Sequence, residues 1–88
     1  MSDGVYRNLE SLEGNATTAA ATLTLTRKSR KLVITNDDDT DNLLIQFNSS
    51  ETAMTIQPNE SLSLYFTASQ IIVDASSGTV PYRIWVFG

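Results

Sequence analysis

Between Ala21 and Phe87 the apolar side chains fall on alternate residues, in short runs divided by residues that favour turns, and this period of two constrains the fold more than any other feature of the chain. A run that alternates in this way separates an apolar from a polar face only when its backbone is extended. Thr22-Leu23-Thr24-Leu25-Thr26 alternates strictly, and its branched threonines suit a pleated surface. After the basic stretch Arg27-Lys28-Ser29-Arg30 comes Lys31-Leu32-Val33-Ile34-Thr35, then a turn from Asn36 to Asn42. Leu43 to Phe47 makes a further strand that ends at Asn48-Ser49-Ser50, and Thr52 to Ile56 another that stops at Pro58-Asn59. Ser61 to Phe66 sets Leu62, Leu64 and Phe66 on one face, Ile71-Ile72-Val73 follows, and Ser76-Ser77-Gly78 turns the chain into Thr79–Phe87.

Runs this short, with no helical pattern between them, require antiparallel pairing, because parallel neighbours need long crossovers. The expected fold is all-β: about seven short antiparallel strands in a sandwich or jelly-roll-like barrel over residues 21–88, preceded by an N-terminal arm over residues 1–20. Apolar residues are sparse in that arm, although Val5, Leu9 and Leu12 recur at helical spacing, with Ser2 or Asp3 to cap and Gly14 to terminate. Helical turns of that length are unstable in water unless they lie on a surface, so these three residues are expected contacts.

The last run carries apolar bulk on both faces, with Val80, Tyr82, Ile84 and Val86 on one and Pro81, Arg83, Trp85 and Phe87 on the other. Proline lacks an amide donor and favours an edge or a strand start. Such a strand lies either in the middle of the core or with one face to a neighbour. An edge position with a large apolar outer face marks Pro81, Arg83, Trp85 and Phe87 as an interface with another chain, the alternative being that Trp85 and Phe87 pack under the N-terminal arm.

At 88 residues the chain has room for one domain, and one that buries only about 60–65% of its unfolded surface. With no cysteine or histidine, disulfides, thiolate zinc sites and imidazole ligands are excluded, which leaves association with partners as the supplement to a small core. Ser–His and Cys–His catalysis are impossible, and no spacing supports a carboxylate pair such as Asp74 with Glu60. The chain is therefore expected to be non-enzymatic, with no cofactor.

A net charge of −4 argues against nucleic-acid binding, and the four cations between Arg27 and Lys31 lack the flanking aromatics that stack bases. Asp37, Asp39 and Asp41 have the opening spacing of a calcium loop, but Asn42 stands where that loop needs glycine and Asn48 where it needs glutamate. The run reads as a solvated turn, which can also answer the basic stretch on the same or a neighbouring subunit. No basic leader with an apolar run and no long apolar stretch announces secretion or a membrane, so the sequons at Asn15, Asn48 and Asn59 carry little weight. A sugar platform built on Trp85, Tyr82 and Tyr65 remains an alternative to a protein interface.

The layout Lys31-Leu-Val-Ile-Thr-Asn, then Pro58-Asn-Glu-Ser-Leu, then Ser77-Gly-Thr-Val-Pro-Tyr-Arg-Ile-Trp resembles small β-domains in virion proteins of tailed bacteriophages. The resemblance covers roughly residues 30–88, and its most specific part is Thr79 to Trp85; the family's turn usually has glycine where this chain has Asn59. It implies a capsid decoration or cement protein on the outer surface of the head, made in the host cytoplasm. Its partners would be the major capsid protein and itself, with a homotrimer favoured. A tail, collar or fibre module is the alternative within the same class.

Overall fold

The computed structural model of the chain describes residues 8–48 and 51–88, and over those residues it is all-β, with no helix. Eight strands form: β1 (Asn8–Ala16), β2 (Ala21–Thr24), β3 (Lys31–Asn36), β4 (Leu43–Gln46), β5 (Met54–Ile56), β6 (Ser61–Leu64), β7 (Gln70–Ala75) and β8 (Val80–Phe87). They lie in two four-stranded antiparallel sheets, ordered β1-β8-β3-β6 and β2-β7-β4-β5. The pairs β1 with β8, β2 with β7, β3 with β6 and β4 with β5 are successive rungs of one long hairpin. The hairpin is rolled so that β8 also pairs β3 in one sheet and β7 pairs β4 in the other. Rolling a four-rung hairpin in this manner generates a jelly roll, which agrees with the expected sandwich class.

The period of two becomes the division between core and surface. In β3, Leu32, Ile34 and Asn36 are buried and alternate with half-buried Lys31, Val33 and Thr35. In β8, Val80, Tyr82, Ile84 and Val86 are buried between the sheets. Facing them are Leu43, Ile45, Ile56, Ile71, Val73 and Ala75 from the second sheet. Two residues take the left-handed conformation that tight turns demand, Asn59 (φ 60) before β6 and Gly78 (φ 63) before β8.

Within the arm expected over residues 1–20, the stretch 8–16 is corrected, and residues 1–7 lie outside the described residues. Residues 8–16 are β1, paired along its length with β8 from Asn8 opposite Phe87 to Ala16 opposite Val80. Leu9 and Leu12 therefore lie in a strand, whose register shifts between Asn8 and Glu10, and not in a helix. The strand was hard to recognise because two of its inward positions are Gly14 and Ala16, kept small where the Tyr82 ring packs over Gly14. A Cβ at Gly14 would stand 2.8 Å from the Tyr82 hydroxyl and 3.1 Å from its ring. Tyr82 is buried and its ring must shift to admit a methyl group, so Gly14→Ala should cost about 1–3 kcal/mol in a urea titration; an unchanged midpoint would show that the ring yields freely.

The edge position expected for the last strand is also corrected. β8 is an interior strand, between β1 and β3. Pro81 is tolerated there as its second residue, at the strand start, where its carbonyl accepts the Asp37 amide at 2.9 Å.

Candidate binding face

Because β8 is interior, its outward residues lie at the centre of a sheet face. Trp85 stands opposite Ser11 of β1 and Val33 of β3, and Val33 stands opposite Ser63 of β6. One pair along, Arg83 lies between Glu13 and Thr35, and in the other direction Phe87 pairs with Lys31. The alternation of β6 carries on to Tyr65, which is 69% exposed, and the indole of Trp85 is 45% exposed. The Lys31 ammonium sits 5.4 Å from the Tyr65 ring centre and 5.9 Å from that of Phe87, so a cation is seated between two aromatic rings.

At the other side of Trp85, Arg83 is held in a fixed pose. Its Nε and an Nη donate to the two carboxylate oxygens of Asp37 at 2.7 and 2.9 Å, a bidentate fork. That hydrogen bond and the charge of Asp37, with a lesser contribution from Glu13, raise the guanidinium above its ordinary pKa. Thr35 and Ser61 share a hydroxyl hydrogen bond of 2.8 Å on the same face. The outward positions of the second sheet differ: Thr22, Thr24, Gln46, Thr55, Gln70 and Asp74 surround Leu44 and Ile72, and no aromatic ring is among them.

The sequence residues Pro81, Arg83, Trp85 and Phe87 thus come together on one face. Leu12 does not join them, because it points between the sheets and packs against the core. Leu9 lies in β1, and Val5 lies outside the described residues. Tyr82 is 6% exposed and inward, so it belongs to no sugar platform with Trp85 and Tyr65; burial pushes its phenol above the ordinary value. Lys31 and Val33 were missed, although the alternation of β3 carried the signal, and Tyr65 was expected only in the sugar platform.

The acidic turn between β3 and β4 is internally bonded. Asp38 accepts the amides of Thr40 and Asp41, Asp41 accepts the Ser77 hydroxyl, Asp39 accepts that of Thr40, and Asp37 is engaged by Arg83. Among the described residues no group of acidic side chains is placed to hold a metal ion. Asp74 and Glu60 each accept a nearby backbone amide, from Ala75 and Gln57 respectively. No helix among the described residues is long and apolar enough to cross a membrane.

A second concavity of ≈ 370 Å³ opens at the far ends of β4 and β6, lined by Ile45, Phe47, Met54, Leu64 and Phe66 with Glu51 and Thr52 at its rim. The Phe47 and Phe66 rings lie 4.6 Å apart there.

Fold and face together define a jelly-roll domain with one aromatic, cation-bearing sheet surface. Comparison with protein-family models, with curated proteins and with solved structures finds no match.

Proposed function

We propose that this protein is a non-enzymatic structural component of a tailed-bacteriophage virion, a decoration protein that binds and stabilises the assembled capsid in many copies. The observation that carries the reading is the contrast between the two sheet faces: Trp85, Phe87 and Tyr65 crowd the outer side of β1-β8-β3-β6, while the outer side of the other sheet carries polar residues around Leu44 and Ile72 and no aromatic ring. Aromatic and arginine side chains of this kind supply most of the energy at protein interfaces. The resemblance of β3 to β8 to small virion β-domains supplies the class of partner, the major capsid protein. Repetition over a capsid multiplies modest single contacts, which suits a domain whose available face is small.

The test is co-sedimentation with expanded, undecorated phage heads. The wild type should pellet with them, and Trp85→Ala should abolish pelleting. Because the indole is nearly half exposed, the same substitution should cost the isolated domain only about 1 kcal/mol. Binding to isolated tails instead of heads would move the protein to the tail, collar or fibre. Trp85 is the sole tryptophan, so quenching of its fluorescence by a glycan panel would replace the protein interface by a sugar site.

A further inference from the structure

The two ends of the sandwich carry opposite charge. Strands alternate in direction, so the loops β2–β3, β4–β5 and β6–β7 fall at one end and β1–β2, β3–β4, β5–β6 and β7–β8 at the other. Arg27, Lys28, Arg30 and Lys31, four of the six Lys and Arg residues, lie at the first end, against Glu10 and Glu51. Their loop is tied down there, since the Ser29 amide bonds the Ala68 carbonyl, the Arg30 amide bonds the Phe87 carbonyl, and the buried Ser29 hydroxyl donates to the Phe66 carbonyl at 2.6 Å. Asp37, Asp38, Asp39, Asp41 and Glu60 lie at the second end, against Arg83.

Within one molecule these clusters do not meet. The six residues of β3 separate them by about 20 Å at roughly 3.3 Å per residue, which is about twice the screening length near 0.1 M salt. The basic end also adjoins the aromatic corner, where Lys31 rests between Tyr65 and Phe87 beside Trp85. One end therefore offers cations beside apolar anchors, and the other end of the same chain offers the complementary anion.

We infer that the corner formed by Lys31, Tyr65, Phe87 and the Arg27–Arg30 loop docks on the acidic end of a second copy, head to tail. The two contact surfaces differ, so the association is heterologous: it closes into a ring where the rotation permits and otherwise extends as a filament. Opposed charge steers and orients the docking, and the aromatic corner supplies the buried area.

Sedimentation equilibrium of the full chain with charge-reversal variants tests this. Lys28 and Asp39 are both exposed, and Asp39 accepts only the Thr40 hydroxyl, so neither reversal touches the core. Lys28→Glu and Asp39→Lys should each weaken self-association about tenfold at low salt, and the double variant should recover most of it. The single variants move net charge in opposite directions, so a general charge effect would weaken one and strengthen the other. That result would overturn the inference, as would a wild type that remains monomeric at low salt, or an oligomer indifferent to both reversals. The inference does not rest on the capsid assignment: an assembling chain that ignores phage heads keeps it, and a monomer that coats them loses it.

Discussion

A chain lacking residues 1–20 is expected not to fold. β1 supplies the whole outer partner of β8, and its loss leaves one side of that strand without a ladder. Ala16, 2% exposed, and Leu12 would be removed from the core, opening the space beside Val80, Tyr82, Ile84 and Val86. Glu10 adds a clasp across the edge of the sandwich, where its carboxylate accepts the Thr26 amide at 2.7 Å and the Thr26 hydroxyl at 3.3 Å. Two lost apolar side chains and a charge-assisted clasp sum to on the order of 5 kcal/mol before the ladder is counted. A domain of this size has roughly 4–13 kcal/mol in all. Circular dichroism and an amide correlation spectrum are the measurements; well-dispersed amides and a cooperative melt in the truncated chain would show that β1 is dispensable after all.

The second large effect belongs to Asn36, a fully buried polar residue at the end of β3. Its amide nitrogen donates to the Asp41 carbonyl at 2.9 Å and the Ile56 carbonyl at 3.0 Å, and its oxygen accepts the Asp38 amide at 2.8 Å. One side chain thereby fastens the acidic loop to β5 in the opposite sheet. Leucine keeps the branched shape and the number of heavy atoms but is bulkier and makes none of these bonds, so Asn36→Leu strands the Ile56 carbonyl in the interior. The expected loss is about 3–5 kcal/mol, read as a lower urea midpoint with an unchanged slope. A loss below about 1 kcal/mol would mean that water replaces the amide without penalty. The acidic loop should lose its shape as well, and with it the fork between Asp37 and Arg83.

How far this was legible in the sequence depends on which side chains carried the signal. β3 and β8 were legible because large apolar residues fall on alternate positions, and an inward isoleucine or valine needs no context to be recognised. β1 was not, because its inward residues are set by a partner seventy residues away: Gly14 is small to admit Tyr82, and a glycine by itself says nothing of that ring. Pro81 misled for a related reason. Its missing amide argues for an edge, but a strand start relieves the same constraint, and only the pairing decides between them. The binding face was legible along β8 and illegible across it, since neighbours on a sheet come from distant strands. Asn36 lies in the run Asn36-Asp37-Asp38-Asp39 and reads as a turn residue, yet it is the polar keystone of the interior.

β8, which lies between β1 and β3 in the first sheet, is also the last of the described strands in chain order. A ribosome-bound chain that ends before Val80 holds β1 and β3 with nothing between them, so the sheet cannot close until β8 has been translated. Pairing across nearly the whole length of the chain also carries a large loop-closure entropy, which makes folding slow and concerted. Trp85 and Phe87 arrive with the same strand that completes the sheet. A chain terminated before β8 therefore has neither the closed sheet nor the aromatic face.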